Sequence, residues 1–361
     1  MTTSIYIHLP FCEHLCYYCD FCKMYYNEIG CQKYLEALKQ EIDTVYRQEI
    51  VKTLYIGGGT PSSLSINNLK RLFDIIKIFP LSKDYEFTME VNPENINEEK
   101  LLLMKEVGVN RISMGIESTN DTFLKYLGRH HNYSMVQEKI ALMKKVGFTN
   151  INVDLIYAIP NETISDLQKD LDNLMKLDIE HISTYSLEIH SNTMMGIKKI
   201  KNIDDELDYK MYNFICDYLE RNGFHHYEIS NFCKNNYSKH NLIYWHNEHY
   251  YGFGLGASGY LGNCRYDNTR GLNNYLSGKR RINEEFLTKS DIISYELILG
   301  FRLINGISKK DFFNKYQEEL INQYNIKELI KEGYLIDDGE NIYIKKDFLY
   351  VENNILENFI E

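Results

Sequence analysis

The sequence predicts an α/β protein: a partial (β/α)6, TIM-like barrel with a smaller C-terminal α+β domain of winged-helix-like form. Three observations predict it. Strand-like runs alternate with amphipathic helical patterns through about residue 190, and the alternation then gives way to helices that end in a hairpin pattern. Three closely spaced cysteines follow the first strand directly.

The strand candidates are residues 4–9, 53–56, 86–91, 111–116, 150–156 and 181–187. Between them, apolar residues recur at three and four positions, as in Tyr34, Leu35, Leu38, Ile42 and Val45, or Leu167, Leu171, Leu174 and Leu177. That spacing is one face of a helix. Six such units imply parallel strands joined by right-handed crossovers. Six falls short of the eight that close a barrel, so an open side is expected, wide enough to admit a substrate. Beyond residue 195 the expected order is a helix over 204–221 and a Gly- and aromatic-rich run from Tyr250 to Tyr260. Helices over 292–303, 309–316 and 326–332 and a hairpin within 334–344 follow. The chain therefore divides into a core at 1–195, an extension at 196–285 and a C-terminal domain at 286–361.

Composition narrows the function classes. The 361 residues are 44% hydrophobic with a formal charge of −11, which supplies a core and disfavours a general nucleic-acid binder. No run of 18 apolar residues appears, and Met1 leads almost at once into a strand, so neither a membrane span nor a cleaved leader is expected. Eight cysteines, four of them within residues 12–22, point to metal use in a reducing compartment, and a cytoplasmic location is expected. Cys31, Cys216, Cys233 and Cys264 are scattered and read as small apolar residues.

Cys12, Cys16 and Cys19 carry the chemistry. A four-iron cluster normally takes four thiolates, so three from one loop leave one iron open to bind and activate a substrate. A disulfide framework does not suit a long chain of this kind, and a zinc site calls for separated Cys pairs or added His ligands. The order and spacing resemble the radical S-adenosylmethionine (SAM) superfamily, in which the open iron chelates SAM. Ligands in parallel α/β folds sit at the C-terminal ends of the strands. There the sequence offers Gly57-Gly58-Gly59-Thr60-Pro61, Glu90, Glu117 and Asp154, with Arg129 as a partner for a carboxylate.

Taken together, Tyr6-Ile7-His8-Leu9-Pro10-Phe11-Cys12, the glycine loop, Glu90-Val91-Asn92-Pro93, Asn110-Arg111-Ile112-Ser113-Met114-Gly115, Leu127-Gly128-Arg129 and Asp154-Leu155-Ile156-Tyr157 resemble the oxygen-independent coproporphyrinogen oxidase family. Tyr227-Glu228-Ile229-Ser230-Asn231-Phe232 and His240-Asn241-Leu242-Ile243-Tyr244-Trp245 resemble its heme-chaperone branch. The resemblance implies a [4Fe-4S] cluster on Cys12, Cys16 and Cys19. It implies SAM contacts from Tyr6, Tyr18, Gly58, Gly59, Thr60, Glu90, Glu117, Arg129 and Asp154, and heme contacts from His240, Tyr244 and Trp245. Two positions depart from the family. Glu117 stands where Gln is common, and Cys22 lies three residues after Cys19 rather than two, so it reads as a bystander. The function implied is a chaperone that binds heme and delivers it to an apo-cytochrome or other acceptor, with an electron donor for the cluster, as monomer or homodimer. The alternative is the dehydrogenase that decarboxylates two propionates of coproporphyrinogen III. Those catalytic relatives carry an N-terminal extension ahead of the position of Tyr6, which disfavours the alternative here.

Overall fold

In the computed structural model, which describes residues 2–360, the predicted alternation becomes a parallel sheet. Strands β1 (Thr2–Leu9), β2 (Ile50–Gly58), β3 (Leu81–Val91), β4 (Arg111–Glu117), β5 (Asn150–Tyr157) and β6 (His181–Ser186) pair in that order. The intervening helices are α1 (Glu28–Val45), α2 (Ile66–Ile76), α3 (Glu98–Glu106), α4 (Asp121–Leu127), α5 (Tyr133–Val146) and α6 (Ile164–Met175). Each starts after an Asn, Ser or Thr whose side chain accepts a backbone N–H of the first turn, so its boundary is written locally. Their apolar faces, such as Leu35, Leu38 and Ile42 of α1, bury against the sheet.

The extension joins the sheet of the core. Helix α7 (Asp205–Arg221) leads to β7 (His225–Glu228) and β8 (Asn231–Cys233), and β8 runs antiparallel to β6. Helix α8 (Lys239–Trp245) then carries the chain to β9 (Tyr250–Phe253), which adds to β1 as a seventh parallel strand. Strands β10 (Ser258–Leu261), β11 (Cys264–Asn268) and β12 (Arg281–Phe286) continue as an antiparallel meander. The twelve strands run β12-β11-β10-β9-β1-β2-β3-β4-β5-β6-β8-β7, so the extension builds both flanks of one sheet. Gly252 hid β9 in the sequence. A Cβ there would lie 1.8 Å from the Ser258 carbonyl oxygen, so this strand needs the residue that breaks a strand pattern.

Glu41 of α1 ties this flank to the barrel. Its carboxylate, only 4% exposed, accepts from the Gly254 N–H (2.9 Å), the Asn268 side chain (2.7 Å) and the Tyr275 hydroxyl (2.6 Å). Glu41→Ala strands three buried donors and is expected to lower unfolding stability by about 3 kcal/mol. Urea denaturation checks this, and a loss under half that size would remove Glu41 as the tie.

The C-terminal part holds α9 (Lys289–Gly300), β13 (Ile307–Ser308), α10 (Lys309–Tyr316), α11 (Ile326–Glu332), β14 (Leu335–Asp337) and β15 (Asn341–Ile344). The three strands pair as β13-β15-β14, giving the helices-plus-hairpin form expected. Helix α9 starts three residues before the predicted 292 because Thr288 and Asp291 form a reciprocal cap. After β15 the chain returns to the barrel, where Leu349, Tyr350 and Glu352 line its cavity. Among the described residues, no helix is long and apolar enough to cross a membrane.

Candidate functional site

A cavity of about 940 Å³ opens at the C-terminal ends of the strands, and Cys12, Cys16 and Cys19 line it. The loop that carries them is held largely through hydrogen bonds to its backbone. Residues Phe11–Cys12 pair in parallel with Met24–Tyr25, and the Tyr17 N–H reaches the Leu127 carbonyl at 3.0 Å. From the extension, Arg270 donates to the Asp20 carbonyl at 2.5 Å. All three cysteines are free thiols. The Thr60 hydroxyl donates to Cys12 Sγ at 3.6 Å, and Arg129 Nη1 to Cys16 Sγ at 3.5 Å. Burial pushes the Cys12 thiol up to about 12, so it ionises only against a positive charge such as a metal centre supplies.

The glycine loop packs onto the cysteines. Gly59 and Thr60 donate their N–H groups to the Leu9 and Phe11 carbonyls at 2.7 Å each. A Cβ on Gly59 would lie 2.9 Å from Cys12 Sγ, and Gly58 holds φ at +117°. Closeness to the neighbouring chain, besides closeness to a ligand, therefore accounts for this run.

Acidic groups gather below. Glu90 accepts from the Tyr55 hydroxyl at 2.7 Å and the Gly58 N–H at 3.0 Å. Burial raises Glu90 and Glu117 to about 7, and raises Asp154 as well. Arg129 donates to the Asn92 side chain at 3.0 Å and lies 3.8 Å from Glu117. Burial alone would lower the guanidinium pKa; Cys16 and Glu117 outweigh it, and the group stays charged. Its Nε is buried without a partner. Glu117 takes a left-handed φ of +64° at the end of β4, a strained conformation of the kind that collects at functional sites. Tyr18 lines the cavity with these groups.

Four residues singled out in the sequence lie elsewhere. Tyr6 is outside the cavity lining and donates to His8 Nδ1 at 3.0 Å, while His8 Nε2 donates to the Cys22 carbonyl at 2.7 Å. Tyr6 thus orients the cysteine loop through His8. His240 does not present a ring nitrogen for heme. It is 1% exposed, its Nδ1 pairs with the Thr53 hydroxyl and its Nε2 with the Tyr244 hydroxyl, each at 2.7 Å. The ring stacks on Tyr55 at 5.0 Å, and burial lowers its pKa to about 3. Tyr244 is spent on that bond, and Trp245 lies beneath the Arg302 guanidinium at 5.9 Å. From that segment, Asn241 is the residue that reaches the cavity. Sequence reasoning missed Arg111 and Arg302, which also line it. Arg111 lies inside a quoted motif, but a single basic residue opening a strand gave no signal of its own.

The donor set and its surroundings fit a cluster. Three thiols from one loop face one cavity, a hydroxyl and a guanidinium are poised on two of them, and Gly59 leaves room where a Cβ would collide. Among the described residues, no three His, Cys, Asp or Glu side chains converge on one metal-ion position. Ligands to separate irons of a cluster need not converge that closely.

The radical SAM superfamily profile matches residues 6–174, and the HemN C-terminal domain profile matches residues 287–346. The solved coproporphyrinogen III oxidase (HemN) from Escherichia coli, described as a radical SAM enzyme, superimposes with a TM-score of 0.86. It is 22% identical and is covered to 89% by 99% of this chain. Fold and cysteine loop thus define a radical SAM protein, a class that implies a [4Fe-4S] cluster and SAM. Over 99% of its length the chain is 38% identical to heme chaperone HemW of Lactococcus lactis and 37% to that of Bacillus subtilis, covering 97% and 99% of them. The chain belongs to the HemW heme chaperone family.

Three buried carboxylates away from the cysteine loop set a pH dependence. Burial raises Glu162 and Glu228 to about 8 and Glu352 to about 7, all above the ordinary 4.5. The folded chain keeps protons there that the unfolded chain has already released, so stability falls as pH rises from about 4.5 to 8. Calorimetry should find a higher melting temperature at pH 7 than at pH 8, above the range in which the buried, neutral His8, His226 and His240 would oppose the trend. A rise instead would mean that these groups ionise freely in the fold.

Proposed function

We propose that this protein is a heme chaperone that carries a [4Fe-4S] cluster on Cys12, Cys16 and Cys19, binds SAM against that cluster, and delivers heme to an apo-cytochrome or other acceptor. The observation that carries the reading is the convergence of three free thiols, Arg129 and three raised-pKa carboxylates on one cavity at the strand ends. In this reading the cluster and SAM supply an electron-transfer centre and a cleavable sulfonium. The chain's own groups do the holding. Arg129 takes a carboxylate, Glu90 and Glu117 take hydroxyl or ammonium donors, and Asp154 is fixed for the same task by the Asn152 amide at 2.9 Å. With folded pKa values near 7, Glu90 and Glu117 can each hold or release a proton at neutral pH. An electron donor for the cluster belongs to the same reading, as does a cytoplasmic location.

The test is anaerobic. Cluster-loaded protein is given hemin and then an apo-cytochrome, and in parallel reductant, SAM and coproporphyrinogen III beside an authentic dehydrogenase. Transfer of heme with no protoporphyrinogen formed is expected. Protoporphyrinogen would replace the chaperone reading with the dehydrogenase.

A further inference from the structure

Among the described residues, the barrel interior contains one buried cation that no carboxylate meets in an ion pair. Arg111 opens β4, is 2% exposed and lines the cavity, yet its side chain makes no hydrogen bond or ion pair with any described residue. A buried, unpaired guanidinium costs a chain several kcal/mol, roughly, unless something matches it. The row around it is equally unfinished. Arg111 pairs in register with Thr88 on β3 and Asn150 on β5. Thr88 Oγ1, Arg111 Nε and Asn150 Oδ1 are all buried without partners.

The neighbouring acids are engaged elsewhere. Glu86 spends both carboxylate oxygens on the Lys239 and His240 N–H groups at the start of α8, each at 3.0 Å. Asp154 feels the Arg111 charge but is held by Asn152 and Ser113. His181, whose Nδ1 bonds the Asn152 side chain at 2.6 Å and whose Nε2 bonds the Tyr227 hydroxyl at 2.8 Å, is kept neutral by burial and by Arg111. The base of the barrel thus holds one positive charge that no described side chain meets in a hydrogen bond or ion pair, Asp154 acting on it only at a distance. Arg129 lies near the cluster end, donating to the Gly115 carbonyl four residues further along β4. At about 3.3 Å per residue that separates the two levels by roughly 13 Å.

We propose that Arg111 is the receptor for a carboxylate of the ligand that fills the barrel, and, resting on the heme reading above, that this carboxylate is a porphyrin propionate. A planar guanidinium is made for bidentate carboxylate binding. The orphaned Thr88 hydroxyl beside it supplies a further donor. The strain of holding an unmatched charge is then relieved only in the loaded protein.

The test titrates hemin and hemin dimethyl ester, whose propionates carry no charge, into wild-type, Arg111→Gln and Arg111→Lys chains, reading the Soret band. Melting temperatures are taken without ligand. Wild type should bind the diacid about tenfold more tightly than the ester, a difference of about 1.4 kcal/mol. Arg111→Gln should lose that preference while its ester affinity stays put, and should melt higher than wild type. Arg111→Lys should keep part of the preference. Preference retained in Arg111→Gln, a lowered melting temperature for that variant, or equal binding of the two ligands by wild type would each overturn the assignment while leaving the heme reading intact. No Soret band with wild type and either ligand would overturn both.

Discussion

Cys16→Ala protein, reconstituted with iron and sulfide, is expected to lose its brown absorbance and retain iron only at background level. Cys22→Ala protein should keep the full complement. The contrast follows from the way the loop is held. Cys16 faces the cavity under Arg129 Nη1, in a loop whose shape is set by backbone bonds from Leu127, Met24 and Tyr26. Removing one thiol leaves that shape intact and subtracts a ligand from a set of three, too few to hold a cluster. Cys22 has a different task. Its carbonyl accepts a hydrogen bond from His8 Nε2, and its sulfur lies 3.9 Å from the Arg270 carbonyl. Iron and sulfide analysis with the visible spectrum decides, and full iron in Cys16→Ala would remove Cys16 from the ligand set.

The second large effect is expected at Arg129. Its guanidinium links Asn92 after β3, the Gly115 carbonyl and Glu117 of β4, and Cys16 of the loop. Arg129→Met keeps much of the bulk but leaves Glu117 as a buried carboxylate without its cation. Breaking a buried pair on one side costs about 3–5 kcal/mol. SAM affinity, measured calorimetrically on cluster-loaded protein, should fall by about a hundredfold, equivalent to the loss of one charge-assisted pair. Arg129→Lys should recover stability better than affinity, because a point charge can face Glu117 but cannot form a fork with a carboxylate. Unchanged SAM affinity in Arg129→Met would assign the residue to the scaffold alone.

The parts of this fold that were legible in the sequence are those written locally. Side-chain caps such as Asn27, Ser65 and Thr163 begin the helices, apolar spacing gives their faces, and the cysteine loop follows β1 as expected. What escaped was non-local. Strand β9 is four residues long, contains Gly252, and pairs with a strand almost 250 positions earlier, so no window of sequence carries it. The surroundings of His240 escaped for a related reason. A histidine at the second position of α8 reads the same whether its ring meets a ligand or Thr53 and Tyr244. Arg111 was invisible because its peculiarity is the absence of a partner, and that exists only once Thr88 and Asn150 are placed beside it.

The position of β9 also sets an order of events during synthesis. Strand β1 leaves the ribosome well before its partner β9, so one of its two edges stays bare until residue 253 has followed. Through that interval the nascent chain displays an unsatisfied row of amide and carbonyl groups directly ahead of Cys12, a template for pairing with another chain. Arg270, which clamps the cysteine loop from outside, arrives later still. That outside clamp is in place only once residue 270 has been made, and long-range closure of this sort is slow. That interval is when an N-terminal fragment is most exposed to aggregation.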